Sequence, residues 1–106
     1  MPKIKVKIND LETIVDSNID NNIIRYMEPD NTNVSYDLDK NILERDNEDI
    51  HLIYDFTNKT GSILVKEMDK ELELSIENVL IERNNNNVRV NYSIENDDFI
   101  YEVEVL

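Results

Sequence analysis

The sequence predicts an all-β fold: a small antiparallel meander β-barrel in one domain, residues 1–106, with a short helix near 10–20 as the open alternative. Three observations lead there. Apolar and polar residues alternate with period two in six segments, the mark of half-buried strands. Turn-forming clusters separate the segments at intervals of about 8–10 residues, too short for helical crossovers. The composition holds 14 Ile and 9 Val but no Ala and no Gln, so strand formers dominate and the best helix former is missing.

Along the chain, Ile4, Val6 and Ile8 alternate with Lys3, Lys5 and Lys7. The next stretch is ambiguous. Leu11, Ile14, Val15, Ile19 and Ile23 recur at helical spacing, and Asp10 could cap a helix. Asp16, Ser17, Asn18, Asp20, Asn21 and Asn22 are weak helix formers, however, so strand, loop and helix all stay open. Residues 22–28 are a weaker strand candidate, ended by Pro29-Asp30-Asn31. Val34, Tyr36 and Leu38 alternate with Asn33, Ser35 and Asp37 before the turn Asp39-Lys40. Residues 41–46 are again weaker, and Asn47-Glu48 turns the chain. Ile50, Leu52, Tyr54 and Phe56 then alternate with Asp49, His51, Ile53 and Asp55, up to the turn Asn58-Lys59-Thr60-Gly61. Residues 62–67 are a weaker candidate. Leu72, Leu74 and Ile76 alternate with Glu71, Glu73 and Ser75. Met68, Leu72 and Ile76 also fit helical spacing, but the clean alternation favours a strand.

Residues 78–83 are a last weaker candidate. Val88, Val90, Tyr92 and Ile94, and then Phe99, Tyr101, Val103 and Val105, complete the alternating segments. With Asn84 to Asn87 as one turn and Asn96-Asp97 as the next, Arg89 faces Glu82 on one side and Glu104 on the other. Arg83 then falls on the apolar face, where it is expected at the barrel rim with its stem packed and its head in water.

The charge excludes several functions. With 24 acidic against 11 basic residues the net charge is −13, a field that repels phosphate backbones and anionic lipid. Neither nucleic acid nor a membrane is an expected partner. The basic trio Lys3, Lys5 and Lys7 reads as a solvated strand face. There is no Cys, hence no disulfide framework and no thiolate metal site. No apolar run suits a signal peptide or a membrane helix, so a cytoplasmic location is expected. The excess of Asn, 16 residues, together with Ile and Lys matches AT-rich coding and asks for no functional role.

Tyr26-Met27-Glu28, Leu43-Glu44-Arg45, Leu52-Ile53-Tyr54-Asp55-Phe56, Glu71-Leu72-Glu73-Leu74 and Val88-Arg89-Val90-Asn91-Tyr92 together resemble the YwiB-like family. These are small bacterial proteins of unknown function. The likeness covers roughly residues 22–105 and rests on hydrophobic spacing. It implies a calycin-like, lipocalin-like barrel and no catalytic residues. The chain departs from the family by a shorter N-terminal region. It also lacks the glycines that such members carry before Glu71–Leu74 and after Arg45, two points that bear on barrel closure.

Few residues suggest chemistry. Asp37-x-Asp39-x-Asn41 with Glu48 echoes an EF-hand loop, but Ile42 stands where glycine is needed, Arg45 repels a cation, and both flanks alternate as strands. His51 is the only His and shares the polar parity of Asp49 and Asp55, without a visible nucleophile or metal partner. Glu71/Glu73 and Glu102/Glu104 are pairs on polar strand faces. One Gly rules out a phosphate-binding loop. Neither an enzymatic activity nor a cofactor or metal is expected.

The expected activity is binding. The candidate site is the barrel interior, with Tyr26, Tyr36, Tyr54, Phe56, Tyr92 and Tyr101 around a small apolar ligand. The alternative is a protein–protein interaction module using a sheet edge or the acidic face. One form of it is a homodimer through the last strand, 99–106, if the barrel does not close there.

Overall fold

The period-two pattern folds, in the computed structural model, which describes residues 2–106, into eleven antiparallel strands. These are β1 (Lys3–Ile8), β2 (Leu11–Asp20), β3 (Ile23–Met27), β4 (Asn33–Asp37), β5 (Ile42–Asp46), β6 (Ile50–Asp55), β7 (Thr60–Val65), β8 (Lys70–Ser75), β9 (Glu77–Asn84), β10 (Asn87–Ile94) and β11 (Asp97–Val105). A single 3-10 turn, Lys66–Met68, links β7 to β8. The strands hydrogen-bond in the order β8-β7-β6-β5-β4-β3-β2-β1-β11-β10-β9. β1 and β11 join in register, from Ile4 opposite Val105 to Ile8 opposite Tyr101, and the meander curls into a nearly closed barrel.

Residues 11–20 are one strand and not a helix. Leu11, Thr13, Val15, Ser17 and Ile19 share the inward parity, with Leu11 and Ile19 still exposed at the two ends of the strand, whereas Ile14 lies opposite Lys5 on the outer face. Ile14 had created the helical spacing. β2 is also a corner: Leu11–Asp16 pair with β1 and Ser17–Asp20 with β3. Buried Ser17 fixes the corner, donating to the Pro2 carbonyl from its backbone N–H at 2.8 Å and from its hydroxyl at 3.0 Å.

The turns explain the asparagines. Among the described residues ten non-glycine positions have left-handed φ, and seven of them are Asn: Asn9, Asn21, Asn22, Asn31, Asn41, Asn78 and Asn96. The lone Gly61 is not among them. Asn tolerates this region better than other L-residues because its short amide bonds locally, so it does the work glycine usually does. In the two-residue β2–β3 hairpin both Asn21 and Asn22 are left-handed, matching the right-handed twist of the flanking strands.

The β10–β11 turn falls one residue earlier than expected. Glu95-Asn96, both left-handed, form it, and Asp97 already pairs with Ile94. The shift moves each partner by two residues, which preserves the faces but sets Arg89 opposite Glu102 instead of Glu104. Glu82 does face Arg89 from β9. Arg83 sits exposed at the rim and donates to the Leu38 carbonyl at 3.0 Å.

Ile4, Val6, Ile24, Val34, Leu43, Ile76, Val88, Val90 and Val103 fill the core with the aromatic residues. The sheet stays open at one seam. β8 and β9 follow each other with only buried Ile76 between them, yet they stand at opposite ends of the strand order and share no register pairs. Ile76 anchors the crossing by donating its N–H to the Lys59 carbonyl at 3.0 Å. β11, by contrast, pairs with β10 and β1 on its two sides. The last strand is therefore no free edge, and a homodimer through it has no unpaired backbone to use.

Candidate functional site

The alternation that builds the strands turns Tyr26, Tyr36, Tyr54, Phe56, Tyr92 and Tyr101 inward, where they form one connected aromatic cluster. Tyr101 stacks on Tyr36 at 5.7 Å between ring centroids, and Tyr36 on Phe56 at 6.5 Å. Phe56 meets Tyr92 at 4.9 Å, and Tyr54 touches both edge-on at 6.2 and 5.8 Å. Tyr26 joins through its hydroxyl, 2.8 Å from that of Tyr101. Phe99, stacked on Tyr92 at 5.4 Å, is a further member of the cluster beyond the six expected residues.

These centroid separations are those of rings in mutual contact. The larger clefts among the described residues open on the outside instead. One of about 360 Å³ lies over β3–β6, beside Arg25, Ser35, Glu44 and His51. Another of about 720 Å³ lies over β6–β8, beside Ile53, Ser62 and Glu73.

Burial raises the phenols of Tyr26, Tyr36, Tyr54, Tyr92 and Tyr101 above their ordinary pKa of 10.0, because a phenolate cannot be solvated among the rings. Tyr36 donates to the Asn41 side-chain oxygen at 3.0 Å. The hydroxyls of Tyr54 and Tyr92 have no protein partner among the described residues.

A charged pair also belongs to this interior and was missed from sequence. An inward row runs Ser17–Tyr26–Val34–Arg45–Leu52–Ile63–Leu72 across β2 to β8. Arg45 stands in it among apolar neighbours and bonds Glu28, while its Nε is buried without a partner. The signal was available: Arg45 has the parity of Leu43, two residues before it.

The outer face carries the other candidates. His51 Nε2 lies 2.5 Å from Glu44 Oε2, both half-exposed. Asp37 does not face a cation loop; its Oδ1 accepts the N–H groups of Asp39 and Lys40 at 2.9 and 3.0 Å and shapes the β4–β5 turn. The lysine trio is absorbed by carboxylates: Lys3 pairs with Asp16 at 2.9 Å and Lys5 with Glu104 at 3.4 Å. Lys7 lies in a row of alternating charge, Glu82–Arg89–Glu102–Lys7–Glu12. No helix among the described residues is long and apolar enough to cross a membrane. Comparison with protein-family models, with curated proteins and with solved structures gives no match.

Proposed function

We propose that this barrel is a non-catalytic binding module that acts in the cytoplasm and takes a basic protein segment on its outside. The supporting observation is the division of labour between its faces. The inside is occupied by the chain's own rings in contact, and a net charge of −13 is spread over the outside. An acidic surface selects cationic partners and repels nucleic acid and anionic lipid. The lysine and arginine side chains already in ion pairs leave most carboxylates uncompensated. We also propose kinship with the YwiB-like family, which the antiparallel barrel supports at the level of fold alone.

A second reading keeps the small apolar ligand inside the barrel. It draws on the unpartnered Arg45 Nε, a buried polar group that a ligand with one polar end would satisfy. Two measurements separate the readings. Native mass spectrometry of protein purified without denaturation is expected to give the mass of the chain alone; a retained small molecule supports the second reading. Titration with poly-L-lysine is expected to give a saturable complex that dissociates with salt, and double-stranded DNA none. Absence of a saturable complex would overturn the first reading.

A further inference from the structure

The seam deepens the first reading and rests on it. We propose that β8 accepts an extended partner segment in which Lys or Arg alternates with branched aliphatic residues, added antiparallel as a twelfth strand of the eleven-stranded sheet. β8 is hydrogen-bonded only to β7, so the N–H and C=O groups of alternate residues on its other side have no strand to meet. The pairing with β7 is unbroken, from Thr60 opposite Ser75 to Val65 opposite Lys70, which leaves a regular edge. β9, the other edge, is kinked by a bulge where Asn78 is left-handed, and bulged edges template strands poorly.

The chain itself displays the occupant this edge fits. β11 presents Glu102-Val103-Glu104-Val105, and β1 lies along it with Lys7 opposite Glu102, Val6 opposite Val103 and Lys5 opposite Glu104. That pairing includes the Lys5–Glu104 bridge at 3.4 Å and buries Val103 to 1% exposure. β8 presents the same alternation, Glu71-Leu72-Glu73-Leu74, with no strand on the side away from β7. Leu72, on the inward row, remains 43% exposed. A cationic–aliphatic strand would cover Leu72 and Leu74 from inside while its cations meet Glu71 and Glu73 outside. β1 cannot serve, being paired to β2 and β11 along its length. The segment therefore comes from a partner protein.

The test uses the whole protein and a labelled peptide with the sequence of residues 2–8, Pro-Lys-Ile-Lys-Val-Lys-Ile, followed by fluorescence anisotropy. Binding is expected to slow amide exchange along β8 in the unaltered protein. It is expected to weaken by about tenfold or more in E71K/E73K, which sets like charges against the lysines of the peptide. A peptide of the same composition with its lysines grouped at one end is expected not to bind. Equal binding by the grouped peptide, undiminished binding by E71K/E73K, or protection on β2 in place of β8 would each refute the assignment. So would a dimer of the chain alone that slows exchange in β8. Peptide failure with an intact poly-L-lysine complex removes the seam but keeps the acidic-surface reading; failure of both removes both.

Discussion

Gly61 is the one position where adding a methyl group tests the aromatic interior directly. It sits on β7 opposite Tyr54, and its φ is not left-handed, so backbone strain is not its reason. A Cβ at Gly61 would lie 2.9 Å from Tyr54 Cδ1 and 3.2 Å from Cε1. Carbon atoms settle at about 3.5–4.0 Å, so the ring would have to retreat by roughly 0.5–1 Å. It has little room, since Tyr54 already meets Phe56 at 6.2 Å and Tyr92 at 5.8 Å. Overpacking of this kind costs about 1–3 kcal/mol. The smaller entropy of an unfolded chain with Ala offsets about 0.4–1 kcal/mol of that. Gly61→Ala is thus expected to destabilise by about 1–2 kcal/mol, seen as a lower urea midpoint at unchanged m and a Tm lower by roughly 4–16 °C. In a Tyr54→Ala background the same change should be neutral or stabilising by up to about 1 kcal/mol. An equal cost in both backgrounds would show that the ring is not what excludes a side chain at Gly61.

Tyr101→Phe strands the Tyr26 hydroxyl in the core and is expected to cost about 1–3 kcal/mol, most of it recovered in the Tyr26→Phe/Tyr101→Phe double variant; additive losses would contradict the pairing. Asn96, left-handed in the β10–β11 turn, should tolerate Gly, whereas Asn96→Val should lose about 1–2 kcal/mol by urea unfolding. A double-mutant cycle is expected to couple Arg89 to Glu102 by about 0.2–1 kcal/mol and to leave Arg89 and Glu104 uncoupled. Burial raises the phenols of Tyr26, Tyr36, Tyr92 and Tyr101 above 10.0, so the folded chain keeps them neutral where the unfolded chain ionises. Their contribution to stability is full below pH 10.0 and is lost as pH climbs through the raised values, so phenolate absorbance should rise together with loss of near-ultraviolet dichroism. Ionisation of these tyrosines in a still-folded protein at pH 10.0 would contradict it.

Alternation was enough to find the strands because most of them have one apolar face turned to the core, and a one-residue error would turn that face outward. It failed where burial does not follow parity. Ile14 is apolar and outside, so it mimicked a helical period across β2. Arg45 is charged and inside, so its place in the aromatic interior went unseen. The β10–β11 turn was misplaced for a related reason. Shifting a hairpin by two residues preserves every face, and only the left-handed backbone of Glu95-Asn96 decides between the registers. The seam depends on how far eleven strands curl before the ends meet, a matter of tilt and stagger that no single strand encodes.

The same carboxylates explain why an open edge need not cause self-association. Two copies of β8 paired antiparallel about Leu72 would set Glu71 of one opposite Glu73 of the other, twice over. Like charges directly across a strand pair are destabilising, and inserted charge is a common means of blunting edges. The repulsion has a sign, however. What it denies to a second copy of an acidic strand it offers as attraction to a cationic one, as β11 does for β1. Protection against aggregation and choice of partner are then one property of Glu71 and Glu73. Replacing both by Ser, which removes the repulsion without reversing it, should weaken binding of the lysine peptide and raise self-association together. A variant that gained self-association while still binding the peptide undiminished would mean that the two glutamates only keep the edge soluble.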